Sequence, residues 1–341
     1  MRLSSFALSL ALAATPIGAF AQTPEEFWRG KSIDYIVPTS PGGDYDLRSR
    51  LMSRHFPKHM PGNPTVVVRN MPGGLGVAAA NYLAKAAPRD GTVMHTIFQN
   101  MPTLQAIGTK EVQFDVRELG WIGNTTSVPN VVNSWHTTGI TKIEDVYTKE
   151  LVVGAPGAAS TSTIYPAAMN AILGTKFKIV TGYPGGNDVN LAMEKGEVGG
   201  RGSNSWQSWK SGHPQWIAEK KIHILVQVAL ERAKDLPDVP LMYELAKNEQ
   251  DRAVLRFISS DMGIARAIVT TPGVPADRLT ALRRAFDAMM KDADFKAEAD
   301  KVKMDFSPST GEQAQAVAES MLKAPPEVIN RARELMTPPK K

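Results

Sequence analysis

The segment VPTSPGGDYD, residues 37–46, joins a β-branched run to a stretch that can form a helix, and RNMPGGLG at residues 69–76 repeats the pattern. A strand that turns through Gly-Gly into a helix presents unpaired backbone N–H groups at one point, and such a point attracts anions. Two such turns in the first quarter of the chain predict a protein that holds a small anion.

The rest of the chain continues this alternation of strand-like and helical segments. Strands are predicted at residues 33–37, 65–68, 92–98, 131–135 and 151–153. Helices are predicted at residues 47–56, 77–86, 163–173, 187–195, 276–290 and 312–323. This alternation is typical of α/β proteins with mostly parallel sheets.

The N-terminus predicts export. Arg2, an apolar middle and the small-x-small sequence Ala19-Phe20-Ala21 have the order of a signal peptide, so we expect residues 1–21 to be removed by cleavage after Ala21. The remaining chain is long enough for two domains. We expect the five residues 337–341 to fray.

The composition excludes several classes of protein. The 341 residues include no cysteine, which rules out disulfides, thiolate catalysis and cysteine-based metal sites. The formal charge of +5 is spread along the chain without a basic run, so we expect no nucleic-acid partner.

Pro57 separates His55 from His59 and should break the helix that a metal-binding pair needs. No hydrolase or zinc-protease motif is present, and we expect neither a metal nor a cofactor.

Three further loops contain glycine, and their chemistry leaves alternatives open. In GAPGAASTST (residues 154–163), the hydroxyls of Ser160 and Thr161 either cap the next helix or donate to a ligand. The loop TGYPGGND (residues 181–188) again joins a β-branched run to a helix. In VGGRGSNS (residues 198–205), Arg201 either binds a carboxylate or pairs with a surface acid. That last segment is too rich in glycine for a central strand.

The two N-terminal turns have alternatives as well. Each is either an ordinary strand-to-helix connection or an anion site, and Asp44 or Asp46 can cap the helix after the first turn. No Gly-Lys-Ser/Thr follows the glycines, so a Walker-type phosphate loop is excluded, and the spacing does not fit a Rossmann fingerprint.

Six motifs in order resemble those of Bug-type periplasmic binding proteins, the solute receptors of tripartite tricarboxylate transporters. They lie at residues 38–50, 70–76, 87–92, 154–161, 183–186 and 236–240. The resemblance implies a two-domain type II periplasmic binding protein fold in the α/β class, with a ligand cleft between the domains. Domain 1 would comprise residues 22–123 and 236–341, and domain 2 residues 124–235.

The resemblance also implies a function. The chain would be a periplasmic receptor that captures a small carboxylate and delivers it to the membrane subunits of the transporter, as a monomer and without catalysis. Asp44 is an added carboxylate beside the first turn, and it should oppose a second negative charge unless it caps the helix. The candidate ligand-binding residues are Ser40, Gly42, Gly43, Asp46, Gly73, Gly74, Ala159, Ser160, Thr161, Gly185, Gly186, Arg201, Ser203 and Asn204.

Two other functions remain open from the sequence. An exported enzyme that acts on an organic acid would need an acid–base pair facing the cleft, and the loops offer only Asp44, Asp46 and Asp188 for it. A ligand-sensing partner of a membrane kinase would use the same binding chemistry.

Overall fold

The computed structural model describes residues 22–127, 129–158 and 160–336, with all side chains in these ranges except that of Leu75. The predicted signal peptide with its cleavage after Ala21, the candidate Ala159 and the tail at residues 337–341 lie outside the described residues.

The chain forms an α/β protein with two separate sheets, as the alternating pattern predicts. The strands are β1 Ser32–Val37, β2 Thr65–Asn70, β3 Val93–Thr96, β4 Gly120–Asn124, β5 Asn130–Trp135, β6 Leu151–Ala155, β7 Phe177–Thr181, β8 Gly200–Ser205, β9 Ile222–Val228, β10 Ala267–Thr270 and β11 Ser309–Thr310. The helices are α1 Pro24–Trp28, α2 Asp44–His55, α3 Val77–Lys85, α4 Met101–Ala106, α5 Thr161–Leu173, α6 Gly186–Glu194, α7 Trp206–Gly212, α8 Pro214–Ala218, α9 Glu249–Ser259, α10 Ala276–Lys291, α11 Ala293–Lys301, α12 Gly311–Leu322 and α13 Pro326–Met336. Every predicted strand and helix is present, although some ends shift by up to three residues.

The first sheet has six strands in the order β11-β4-β10-β3-β1-β2, and the second has five in the order β7-β6-β8-β5-β9. The first sheet takes strands from both sides of the segment that forms the second. We call the part built on each sheet the first lobe and the second lobe. The chain passes between the lobes after β4 and again between β9 and β10.

Both sheets are mixed, and the expectation of mostly parallel sheets is wrong. Strand β1 is parallel to β2 and β3, and β6 is parallel to β7 and β8. Strands β5 and β10, however, run antiparallel to both of their neighbours. Each is the first strand after the chain has crossed from the other lobe, so no strand–helix–strand crossover sets its direction.

The expectation that residues 198–205 form no central strand is also wrong, because β8 lies inside the second sheet. A Cβ atom at Gly200 would overlap the carbonyl oxygen of Asn133 on β5. One at Gly202 would overlap the carbonyl oxygen of Ser162 and lie 2.5 Å from Cγ of Pro166 on α5. These glycines therefore serve close packing of β8 against its neighbours, which outweighs their low strand propensity.

The core of the second sheet extends beyond residues 124–235. Val254 and Leu255 of α9 and Val328 of α13 are buried in one cluster with Val132 and Leu225 of the second sheet. The two lobes thus share hydrophobic packing on one side. The domain boundaries at residues 123/124 and 235/236 stay a prediction.

Within the described ranges, no helix has both the length and the apolar character required to cross a membrane.

Candidate functional site

Three adjoining cavities lie between the lobes, and residues of both lobes line each of them. The first, of about 320 Å³, includes Tyr45 and Arg266 from the first lobe and Arg201 from the second. The second, of about 400 Å³, shares Arg266 with the first and adds Asp44. The third, of about 460 Å³, shares Arg201 with the first and Asp44 with the second. The cavities together form one continuous cleft.

The starts of α2, α5 and α6 lie at this cleft. The start of α5, at Ser160 and Thr161, lines the first cavity. The turns before α2 and α6 line the third cavity from opposite lobes, through Gly42 and Gly43 on one side and residues 185–186 on the other. Helix starts carry unpaired N–H groups and the positive end of the helix dipole. The cleft therefore gathers anion-attracting backbone from both lobes.

Arg201 is a cation that has no carboxylate within ion-pair distance among the described residues. It extends from β8, and its Nη1 donates to the carbonyl oxygen of Gly186 at 3.3 Å and to Oδ1 of Asn190 at 3.0 Å. Its buried Nε has no hydrogen-bond partner among the described residues. Burial lowers the pKa of Arg201 to about 10, so the side chain stays charged at neutral pH. A buried N–H without a partner costs about 1–3 kcal/mol unless a ligand or water satisfies it.

The remaining candidates in β8 and α5 surround this arginine. Ser203 and Asn204 follow it along the strand and line the first cavity. The Oγ atom of Ser160 is buried and has no partner in the described part of the chain. Ser160 is also the N-cap residue of α5, yet its side chain makes no capping hydrogen bond. The Ser160 hydroxyl therefore does not cap α5, which was one of its two predicted uses.

Asp46 lies in the first lobe and is occupied by internal contacts. Its carboxylate accepts the N–H of Gly42 at 2.8 Å, Nδ2 of Asn70 at 2.8 Å and Nε of Arg50 at 2.9 Å. Burial alone would raise the pKa of Asp46, but these hydrogen bonds hold it at about 2. This carboxylate fixes the first glycine turn rather than facing the cleft.

Three other candidates are placed away from the cavities described above. Ser40, Gly73 and Gly74 are not among the residues that line any of the three. Gly76, at the end of the same turn, is in contact with Phe98, which does line the first cavity. The second turn thus supports the wall of the cleft indirectly.

The main feature missed by sequence reasoning is an ion-pair group on the first-lobe wall. Asp44 accepts Nε of Arg266 at 2.7 Å and Nε of Arg48 at 3.0 Å. Burial would raise the pKa of Asp44, but the two arginines hold it below its usual value. Nη1 of Arg266 donates to Tyr45 Oη and Gln99 Oε1, both at 3.2 Å. No local signal marks Arg266, because its partner Asp44 is 222 positions away.

The described residues contain no cluster of three or more potential metal ligands. His55 contacts Glu298 at 2.6 Å, and His59 lies 3.3 Å from Asp292, so the two histidines face separate carboxylates.

Solved structures share the fold of this chain over nearly its whole length. A TctC solute binding protein from Polaromonas aligns with a TM-score of 0.67 at 18% identity, covering 89% of this chain and 97% of that one. The fold is that of a solute-binding protein. An R. palustris protein with adipate aligns at 0.64 and 18% identity (90% and 98% covered), and MatC from Rhodopseudomonas palustris with bound malate at 0.61 and 18% (90% and 99%). The predicted resemblance is confirmed as a likeness of fold.

Sequence comparison adds nothing to the likeness of fold. No protein-family model matches the chain, and no curated protein matches it. The assignment of a solute and a transporter to this solute-binding fold therefore depends on the chemistry of the cleft.

Proposed function

We propose that this chain is a periplasmic solute receptor that captures a small carboxylate between its lobes and delivers it to a tripartite tricarboxylate-type transporter. The observation that carries the proposal is Arg201, a charged side chain that lines two cavities of the cleft and has no carboxylate partner in the part of the chain that the structure describes. Adipate and malate in two structural neighbours are small carboxylates as well, which supports the same class of ligand.

The contacts expected for such a ligand are of two kinds. Arg201 would supply a charge-assisted hydrogen bond, worth about 1.5–3 kcal/mol. The helix starts would add about 0.3–1 kcal/mol each, and more where they are partly buried. Because ordering costs subtract from these sums, micromolar binding, about −8 kcal/mol, is the expected range.

Delivery would follow from closure of the cleft. A ligand that contacts both lobes stabilises the closed form relative to the open one, so binding shifts that equilibrium. The membrane subunits would then recognise the closed form.

The first cavity favours binding over turnover. Of the described residues that line it, none is an aspartate, glutamate, histidine or lysine. The first cavity therefore offers neither a general acid–base pair nor a base that could activate Ser160. Asp44, Asp188 and His213 line the third cavity, which Arg201 shares, but Asp44 is held by two arginines and Asp188 is exposed. We accordingly propose a receptor and not an enzyme.

Calorimetry with a panel of mono- and dicarboxylates tests the proposal. The Arg201→Gln variant should bind the best ligand about 10- to 150-fold more weakly, which corresponds to the loss of 1.5–3 kcal/mol. Arg29→Gln, at an exposed arginine outside the three cavities, is the matched control. Unchanged affinity in Arg201→Gln, or conversion of the ligand during the titration, would contradict the proposal.

A further inference from the structure

We propose that Asp44 sets the charge of the ligand, so that the cleft selects a carboxylate with one negative charge and an uncharged polar group at its other end. This inference depends on the proposed function, because it assumes that a carboxylate binds at Arg201. It goes further by naming the charge of the ligand and the residue that determines it.

Both arginines of the first-lobe wall already have a carboxylate partner. Asp44 is shared between Arg266 and Arg48. Nη1 of Arg48 also donates to the carbonyl oxygen of Asp305 at 2.7 Å, and the Asp305 carboxylate lies 4.0 Å from Lys210. Lys210, on α7 of the second lobe, also pairs with Asp235, so the wider group holds three cations, Arg48, Lys210 and Arg266, and three carboxylates, Asp44, Asp235 and Asp305. Of these carboxylates, Asp235 and Asp305 are about half exposed.

Arg201 on the opposite wall has no such match. No carboxylate of the described residues lies within ion-pair distance of it, and burial alone accounts for its lowered pKa. Three more titratable residues line the cleft. Burial lowers the pKa of His213 in the third cavity, so this side chain is neutral at neutral pH. Lys303 in the second cavity and Asp188 in the third are charged, but both are exposed. Water and salt screen exposed charges such as these, and Lys303 and Asp188 have opposite signs. Of the three arginines that line the cleft in the described part of the chain, Arg201 is thus the one without a carboxylate within ion-pair distance.

The first-lobe wall opposite Arg201 is polar, and its arginine, Arg266, is already paired with Asp44. Besides its ion pair, Arg266 lies with Cζ 4.1 Å from the centre of the Tyr45 ring and donates to the Gln99 amide oxygen. A second carboxylate placed there would lose its water without gaining an unmatched counter-charge, and it would approach Asp44. A hydroxyl or amide group has no such cost and can hydrogen-bond to the phenol and amide groups of this wall.

The test compares ligand pairs that differ by one charge at constant length. The pairs are succinate and succinamate, adipate and adipamate, and terephthalate and terephthalamate, each titrated into the full mature chain by calorimetry. In the best-binding pair, the monoamide should bind at least about tenfold more tightly than the dicarboxylate, because only one charge is matched.

Asp44→Asn is the decisive variant, because it releases Arg266 from its carboxylate without changing the size of the side chain. The preference should shift toward the dicarboxylate by about tenfold or more, since the first-lobe wall then gains an unmatched cation. Asp277→Asn, which removes an exposed carboxylate on α10 outside the three cavities, is the control and should leave the ratio unchanged.

The outcomes separate this inference from the proposed function. If the dicarboxylate binds as tightly as its monoamide or more tightly, and Arg201→Gln still weakens binding as proposed above, the charge assignment is wrong and the receptor assignment stands. If no carboxylate binds to the wild-type chain, both are overturned. Should Asp44→Asn fail to fold, the ratio measured on the wild-type chain decides alone.

Discussion

Gly186 lies directly against the guanidinium of Arg201. A Cβ atom at residue 186 would overlap Nη2 of Arg201 and lie 2.8 Å from its Cζ, while the Gly186 carbonyl oxygen accepts a hydrogen bond from Nη1. The second glycine of the turn before α6 thus positions the side chain that we propose binds the ligand. The requirement for glycine here comes from the close approach of the arginine.

Gly186→Ala should therefore weaken ligand binding without destabilising the protein. The added methyl group displaces the end of a flexible side chain, and alanine favours the first turn of α6. We expect about tenfold weaker binding by calorimetry, the equivalent of 1.4 kcal/mol, and an unchanged melting temperature. Gly185→Ala is the control, because its Cβ would meet nothing closer than Oδ2 of Asp188 at 3.5 Å. Equal affinities of the two variants would contradict this role for Gly186.

Ser160→Ala should reduce binding by about two- to tenfold, the loss of one hydrogen bond of 0.5–1.5 kcal/mol. Its buried hydroxyl has no partner within the described ranges, so removing it should leave the free energy of unfolding unchanged. Ser320→Ala, an exposed hydroxyl on α12, is the comparison for both measurements. A clear loss of stability in Ser160→Ala would show that the hydroxyl supports the fold instead.

Gly202→Ala should destabilise the second lobe. The new methyl group would overlap the Ser162 carbonyl, and the backbone cannot move without separating β8 from α5. Overpacking of this kind costs about 1–3 kcal/mol, measurable by denaturant unfolding. Gly212→Ala, where a Cβ would meet nothing within 4 Å, should unfold like the wild type. Wild-type stability of Gly202→Ala would mean that β8 is less tightly packed than the structure shows.

The contribution of Asp46 to stability should depend on pH in the acid range. Because its pKa falls from 3.8 to about 2 on folding, its contribution is complete above pH 3.8 and is lost as the pH falls through 2. Asp46→Asn should therefore lower the free energy of unfolding at neutral pH by about 1.5–3 kcal/mol, and this difference should shrink toward pH 2. Asp300→Asn, on the exposed surface of α11, provides the reference curve. A constant difference between pH 7 and 2 would exclude the ionised carboxylate as its source.

The sequence patterns predicted the local elements well and the long-range contacts poorly. The two glycine turns, the β-branched runs and the amphipathic helices predicted strands such as β1 and helices such as α10 to within a few residues. Such elements depend mainly on residues that are close in the chain, so they can be predicted from a single sequence.

Contacts between residues that are distant in the chain could not be predicted from the sequence patterns. The glycines of β8 led to the prediction of a loop. The reason for glycine at these positions is close contact with Asn133, Ser162 and Pro166, which are distant in the chain. The polar, glycine-rich sequence around Arg201 makes it a candidate, and its role as a ligand-binding residue stays a prediction. Arg266, by contrast, has an unremarkable local sequence, because its partner Asp44 is distant in the chain. Gly73 and Gly74 form a turn of the expected type but do not line the three cavities, and their role as ligand-binding residues stays a prediction.

A crystal structure of the chain with its best-binding carboxylate is the most direct test of the central claim. We predict one carboxylate group within hydrogen-bonding distance of the Arg201 guanidinium, enclosed by the starts of α5 and α6 and in contact with the first lobe. A carboxylate bound elsewhere, or one that leaves Arg201 untouched in the closed cleft, would contradict the account.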